Sequence, residues 1–220
     1  MKTGESIEAF PAVAATAAAP THVYWGGDNL YVNLTSRCSS SCSFCLRESS
    51  WELFGVDLYL HPDDEPTAAE VIECIRTQED EPREVVFTGL GEPTLRLDQL
   101  LEIVRWLSGR GIVSRLDTNG HAQLLHPGRD VVAELAAAGL DRLSVSLNAA
   151  DVETYDRLCR PQHAASFVAV TDFIRDAVRA GLDTTATMVG VPGLQVDGVA
   201  ELAGLIGARF RVRPYVRPEE

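Results

Sequence analysis

The chain has 220 residues, of which 45% are hydrophobic and 23% charged, proportions typical of one globular domain rather than a disordered or disulfide-stapled chain. Its formal net charge of −13 and its pI near 4.8 argue against a nucleic-acid-binding surface, which needs clustered basic side chains. The five cysteines are odd in number and unevenly spaced, as expected for a protein of the reducing cytoplasm.

The N-terminal segment, residues 1–21, is rich in alanine but lacks the features of a signal peptide. Lys2 is its one basic residue, Glu5 and Glu8 interrupt it, and no leucine-rich apolar run follows. We therefore predict a flexible extension over residues 1–21 and a single folded domain over residues 22–220. No apolar run of about 18 residues occurs, so no membrane segment is expected.

Strand and helix patterns alternate along the rest of the chain. Short β-rich runs predict six strands, at residues 30–35, 84–88, 112–117, 142–147, 184–189 and 209–213. Helical periodicity predicts helices at residues 67–77, 97–107, 130–138, 150–159, 166–180 and 197–206. Thr67 and Glu70 have the spacing of a capping box at the start of the first helix. The long connection 46–65 carries Trp51, Phe54 and Tyr59 and is predicted to be a lid over a site.

This alternation predicts an α/β fold with right-handed crossovers between parallel strands. Such a sheet can remain open or curve into a barrel, and we favour a partial (β/α)6 TIM-type barrel. In both arrangements ligands bind at the carboxyl ends of the strands, where the most distinctive turns of this sequence fall.

Three cysteines, Cys38, Cys42 and Cys45, lie within eight residues directly after the first strand. Thiolates are soft ligands that suit zinc or iron–sulfur clusters. Three of them leave one coordination position for a substrate or cofactor. A structural zinc ion would need a fourth ligand from far along the chain, such as Cys74 or Cys159.

The spacing Cys38-x3-Cys42-x2-Cys45, with Phe44 before the last cysteine, resembles the cluster loop of the radical S-adenosylmethionine (SAM) superfamily. The resemblance implies a radical SAM core in which the three cysteines hold a [4Fe–4S] cluster and SAM completes the fourth iron. It also implies a reducing electron donor of the flavodoxin or ferredoxin type. One electron would cleave SAM, and the resulting 5′-deoxyadenosyl radical would take hydrogen from a small-molecule or peptide substrate. No second cysteine cluster follows Cys45.

Later turns resemble the SAM-binding segments of that superfamily. Leu90-Gly91-Glu92-Pro93 is similar to its Gly-Gly-Glu turn, with Leu90 in place of the first glycine, and Thr118-Asn119-Gly120 is similar to a turn after the third strand. The residues that the resemblance assigns to SAM are Phe44, Gly91, Glu92, Asn119, Ser146, Asn148 and Val191. Strand alternation would place Ser146 and Asn148 on one face with Ser144. As alternatives, Asn119 only supports its turn and Asn148 only caps the next helix.

Two further groups of residues are candidates for a site. Arg209, Arg211 and Arg213 alternate on the sixth strand, with Arg217 nearby, and could bind an anionic substrate or the SAM carboxylate. The alternative is a charged edge strand that resists aggregation. Four histidines lie in polar connections and are expected at the surface: His61, His121, His126 and His163. His121 directly follows the Thr118-Asn119-Gly120 turn and is the histidine to test first.

Tyr24-Trp25-Gly26 and Cys45-Leu46-Arg47-Glu48 are similar to segments of the small radical SAM proteins associated with TatD-family nucleases. The short chain also resembles 7-carboxy-7-deazaguanine synthases and the activases of glycyl-radical enzymes. An interpretation from a different class is a regulatory module that binds an iron–sulfur cluster or zinc without catalysis.

Overall fold

The computed structural model describes residues 20–216. The predicted extension over residues 1–21 therefore lies almost entirely outside the described residues, and Arg217 lies outside them as well. In chain order the elements are β1 (Val23–Gly26), β2 (Asn29–Asn33), β3 (Glu52–Leu53), β4 (Val56–Asp57), α1 (Ala68–Arg76), β5 (Glu84–Thr88), α2 (Leu97–Ser108), β6 (Ser114–Thr118), α3 (Ala122–Leu125), α4 (Val131–Ala138), β7 (Arg142–Ser146), α5 (Val152–Cys159), α6 (Ser166–Arg179), β8 (Asp183–Val189), α7 (Val196–Leu205) and β9 (Arg209–Arg213).

The main sheet has seven strands in the order β1-β2-β5-β6-β7-β8-β9. All neighbours from β2 to β9 are parallel, and helices connect most of them, so the predicted partial (β/α) barrel is confirmed. Strand β1 was not predicted. It pairs antiparallel with β2 through a tight turn in which Gly27 has φ +62°, a conformation that suits glycine.

Helices cover one face of the sheet, and that face forms the apolar core. Leu30, Val32, Val85, Phe87 and Leu116 are fully buried there. The first helix begins at the predicted capping box, with Thr67 and Glu70 bonded reciprocally. Within residues 20–216, no helix combines the length and the apolar character needed to cross a bilayer.

The opposite, concave face of the sheet is polar. Arg115 forms ion pairs with Glu84 (3.3 Å) and Asp117 (3.1 Å), and Arg142 pairs with Glu84 at 3.1 Å. The strand register places Ser144 on this face beside Asp117. The interior of a closed TIM barrel is usually filled by branched apolar side chains, so this face is better suited to a polar ligand.

The connection 46–65 packs against the chain that leaves β2. Leu58 and Leu60 are buried, Asn33 Nδ2 donates to Leu58 O at 2.9 Å, and Leu60 N donates to Ser36 Oγ at 2.7 Å. The segment includes the short hairpin of β3 and β4. Its position beside the cysteine loop is compatible with the predicted lid, which remains a prediction.

Glu65 fastens the end of this connection to the cysteine loop. Its carboxylate accepts two hydrogen bonds from Arg37, at 2.7 and 2.8 Å, one from Arg96 at 2.6 Å and one from the Thr35 hydroxyl. Burial opposes its ionisation, but these hydrogen bonds outweigh burial and lower the pKa of Glu65 to about 2. The ionised form therefore stabilises the fold.

Replacing Glu65 with glutamine should destabilise the protein in a pH-dependent way. The pKa of Glu65 falls from 4.5 to about 2 on folding, so its contribution is complete above pH 4.5 and is lost as the pH drops toward 2. We expect Glu65→Gln to lower the free energy of unfolding by about 1–3 kcal/mol at pH 7. Urea unfolding between pH 7 and 3 should show the difference shrinking.

The matched control is Glu73→Gln, which removes an exposed ion pair with Arg76 and should change stability by less than about 0.5 kcal/mol. A difference between Glu65→Gln and the parent protein that stays constant over this pH range would contradict the assignment.

Candidate active site

The cysteine loop is fixed at both of its sides. On one side, Glu92 N of the turn after β5 donates to Arg37 O at 2.8 Å. On the other side, loop residues bond to the chain that leaves α5, in the pairs Ser41 N to Arg160 O, Ser43 N to Leu158 O and Gln162 N to Ser39 O. These contacts hold the loop across the carboxyl ends of the strands, where the sequence placed the site.

Gly91 permits the close approach of the turn after β5 to the loop. A Cβ atom at this position would lie 2.0 Å from Thr35 O and 2.8 Å from Arg37 O. Both neighbours are backbone atoms, which cannot move aside as the end of a side chain can. Glycine is therefore required here for packing.

The buried carboxylate of Glu92 connects the turn after β5 to the turn after β6. Its Oε1 accepts from Thr94 N (3.0 Å), Thr94 Oγ1 (2.6 Å) and Thr118 Oγ1 (2.7 Å). Its Oε2 accepts from Asn119 N at 2.7 Å and keeps capacity for one more donor. Burial raises the pKa of Glu92 despite these bonds. The resemblance assigned Glu92 to the SAM ammonium, and the free capacity of Oε2 is compatible with that prediction.

Asn119 connects the turn after β6 to the cysteine loop. Its Nδ2 lies 2.9 Å from Ser39 Oγ and 3.7 Å from Cys38 Sγ, while its Oδ1 accepts from His121 N at 2.9 Å. Asn119 supports its own turn, as the alternative proposed, and also reaches a predicted metal ligand.

The three thiols supply a donor set that fits a soft metal cluster. Burial raises the pKa of Cys38 to about 12 and also raises the pKa of Cys45; contact with the Cys159 thiol, together with burial, raises the pKa of Cys42. Metal binding would provide the positive charge that deprotonates them. The thiols are not gathered at one point, however, and residues 20–216 contain no ready group of three His, Cys, Asp or Glu side chains placed to hold a metal ion.

The remaining predicted SAM-binding residues are more widely spread. Ser146, at the end of β7, accepts from Arg213 Nη2 at 3.2 Å on the concave face. Phe44 is partly buried against the apolar core. Val191 lies in the turn after β8, where its N–H bonds to Val189 O at 2.8 Å. Their assignment to SAM stays a prediction.

Asn148 does not continue the alternation of β7. The strand ends at Ser146 and Asn148 has φ +58°, so the expectation that it shares a face with Ser144 through strand geometry is wrong. Its Oδ1 accepts from Val189 N at 3.2 Å. It does not cap α5 either, since that role belongs to Asp151.

His121 was expected at the surface, and the structure contradicts this. It is fully buried, with Nδ1 3.0 Å from Ser39 Oγ and Nε2 2.9 Å from Tyr155 OH. Burial lowers the pKa of His121 to about 4, so the ring is neutral at pH 7. The sequence signal was its position directly after the Thr118-Asn119-Gly120 turn.

Cys159 was missed as a neighbour of the cysteine loop. It ends α5 and lies beside Cys42, more than a hundred residues away in sequence. Sequence reasoning considered it only as a remote fourth zinc ligand, because nothing local indicates which helix end meets the loop.

A cavity of about 530 Å³ opens beside the cysteine loop. Cys38 and Ser39 form one wall, and Trp51, Tyr59 and Leu60 of the connection 46–65 form another. None of the predicted SAM-binding residues lines this cavity. Asn148 instead borders a second cavity of about 140 Å³ between the turns after β7 and β8.

Comparison with known proteins decides the family. A sequence profile described as the radical SAM superfamily matches residues 32–206. The chain belongs to the radical SAM superfamily. This family uses a [4Fe–4S] cluster and SAM, which are the cofactors that the cysteine spacing predicted.

Curated relatives are cyclases that are longer than this chain. The GTP 3′,8-cyclase of Microcystis aeruginosa is 31% identical over an alignment of 197 positions that covers 84% of this chain and 55% of the cyclase. The probable GTP 3′,8-cyclase of Methanopyrus kandleri is 36% identical over an alignment of 184 positions that covers 79% of this chain and 53% of the cyclase. The chain thus spans about half the length of the curated relatives it matches.

Solved structures share the fold of this radical SAM chain. Streptococcus suis SuiB, bound to the precursor peptide SuiA, superposes with a TM-score of 0.65 at 16% identity, over 86% of this chain and 42% of SuiB. TYW1 with a lysine-pyruvate adduct superposes with a TM-score of 0.62 at 18% identity, over 86% of this chain and 65% of TYW1. At these identities the likeness concerns the fold alone.

Replacing Gly91 with alanine should destabilise the protein much more than the same change at a glycine with open space around it. The new Cβ must displace the backbone at Thr35 and Arg37, so we expect a loss of about 3 kcal/mol in the free energy of unfolding. Gly204→Ala is the control, because open space surrounds that helical position and alanine there should be neutral or stabilising. Equal thermal stability of the two variants would refute the packing role of Gly91.

Proposed function

We propose that this chain is a radical SAM enzyme in which Cys38, Cys42 and Cys45 hold the cluster at the carboxyl rim of a partial barrel. The observation that carries the proposal is the loop itself. Three half-buried thiols follow the first parallel strand. The turns after β5 and β6 meet their loop, through the bond from Glu92 N to Arg37 O and through Asn119 beside Cys38. A fourth position on the cluster is then available to SAM.

When bound, a [4Fe–4S] cluster held by Cys38, Cys42 and Cys45 together with SAM would supply one-electron reductive cleavage and radical hydrogen abstraction. The residues of this chain bind, orient and exclude water. Glu92 Oε2 and the turn around Gly91 would receive the SAM ammonium group. Asn119 would orient Cys38, and Ser146 on the concave face would contact the ribose or the carboxylate. The connection 46–65 would shield the loop from solvent.

The arginines on the concave face favour an anionic substrate. Among residues 20–216, neither Arg211 nor Arg213 forms an ion pair with a carboxylate, although Arg209 on the same strand pairs with Asp183. The Nε of Arg213 is buried without a hydrogen-bond partner in that part of the chain. A guanidinium held this way gains most from a carboxylate or phosphate.

GTP is the first substrate to test, because the curated relatives are GTP 3′,8-cyclases at about 30% identity over most of this chain. A narrower assignment to the TatD-associated radical SAM proteins rests on Tyr24-Trp25-Gly26 and on the residues after Cys45. For either group we place the reaction in the cytoplasm with a flavodoxin- or ferredoxin-type donor, since a low-potential cluster needs a reducing compartment.

Cys42→Ala should abolish cluster binding, because two thiolates do not hold a [4Fe–4S] cluster. Anaerobic reconstitution of the parent protein should give about four iron atoms per chain, and SAM with dithionite should yield 5′-deoxyadenosine. Cys74→Ala, a half-buried cysteine on α1, is the control and should retain both properties. A colourless parent protein that contains zinc and leaves SAM intact would contradict the proposal and favour a zinc-binding module. A bound cluster without 5′-deoxyadenosine would favour a sensor.

Arg213→Gln should distinguish the two anions that the concave face could bind. If Arg213 binds the substrate, the variant should lose GTP binding by at least tenfold, about 1.4 kcal/mol, with SAM affinity unchanged. Isothermal titration with each ligand measures both. Arg175→Gln, an exposed helix residue paired with Asp172, is the control. A selective loss of SAM affinity would assign Arg213 to the SAM carboxylate instead.

A further inference from the structure

Cys159 lies directly across from Cys42. Backbone amides on either side of Cys42 donate to the carbonyls on either side of Cys159, in the pairs Ser41 N to Arg160 O at 3.2 Å and Ser43 N to Leu158 O at 2.9 Å. This pairing places the side chains of Cys42 and Cys159 next to each other. Cys159 is only 1% exposed, so water does not compete for its S–H group.

The sulfur of Cys159 accepts a hydrogen bond from one side chain and has a second donor close by. Asn148 Nδ2 donates to it at 3.5 Å. Tyr155 precedes it by four residues on α5, which places both side chains on one face of the helix. A bound cluster would deprotonate Cys42. The S–H of Cys159, whose sulfur already accepts from Asn148, is then the group placed to donate to Cys42.

Buried hydrogen bonds lead from Asn119 through Ser39 and His121 to Tyr155. The side-chain amide of Asn119 determines their direction. His121 N donates to Asn119 Oδ1, so Asn119 Nδ2 is the group that donates to Ser39 Oγ. The Ser39 hydroxyl then donates to His121 Nδ1, and the neutral ring carries its proton on Nε2 and donates to Tyr155. Because it accepts from His121, the Tyr155 hydroxyl keeps its own proton to donate, and Cys159 lies one helical turn further along the same face of α5.

We propose that Cys159 is a positioning residue of the cluster, whose thiol donates a hydrogen bond to the Cys42 sulfur and thereby raises the reduction potential of the bound cluster. Hydrogen bonds to ligand sulfurs stabilise the more negative, reduced state. The bonds that precede Cys159 in the network all point the same way, so each strengthens the next. The inference rests on the proposed function, because Cys42 must hold the cluster.

The test is the midpoint potential of the reconstituted cluster, measured by an anaerobic redox titration followed by electron paramagnetic resonance. Cys159→Ala removes the donor and should shift the potential to a more negative value. Cys159→Ser keeps a donor and should stay closer to the parent protein. Tyr155→Phe should shift the potential in the same direction by less, and should have no further effect when combined with Cys159→Ala. Cys74→Ala is the control and should leave the potential unchanged.

Iron content separates this inference from the proposed function. All variants should retain about four iron atoms per chain, because Cys159 acts through Cys42 and not as a ligand. An unchanged potential in a fully loaded Cys159→Ala variant overturns the inference and leaves the proposed function standing. Loss of the cluster in that variant also overturns it, since Cys159 would then be a ligand. A parent protein that takes up no iron–sulfur cluster overturns both.

Discussion

The rim of this barrel depends on the buried carboxylate of Glu92. Removing a carboxylate from water costs several kcal/mol, and donors from Thr94, Thr118 and Asn119 offset that cost. The same residue donates its backbone N–H to Arg37 O. Three segments that are remote in sequence therefore meet at one residue: the cysteine loop, the turn after β5 and the turn after β6. Any ligand of the rim encounters these segments already held in place.

Much of the fold could be predicted because its signals are local. The six parallel strands lie within about two residues of their predicted positions, and the Thr67–Glu70 capping box begins α1 as expected. The cysteine spacing identified the family, since three soft ligands in one short loop suit an iron–sulfur cluster better than most other metal sites. Strand β1 was missed because its four residues show no clear alternation beside the glycines that follow them.

The errors concern contacts made over long sequence distances. A histidine in a polar connection is usually exposed, but His121 is buried because Tyr155 and Ser39 provide partners for both ring nitrogens. Nothing near Cys159 indicates that the end of α5 faces Cys42. The positive φ of Asn148 was equally hidden, although asparagine tolerates this conformation better than most residues. Sequence periodicity determines which face a residue occupies, and tertiary structure determines what that face meets.

The arginine side chains of the concave face favour an anionic ligand. The chain as a whole is acidic, with a net charge of −13, so carboxylates are abundant enough to neutralise every arginine. Arg115 pairs with Glu84 and Asp117, and Arg142 also pairs with Glu84. Within residues 20–216 the buried Nε of Arg213 has no hydrogen-bond partner, which is costly for stability. Asp117 offsets part of the Arg213 charge without forming an ion pair with it. Positions that break a local rule are commonly functional, and an anion bound on the concave face would give this Nε a partner.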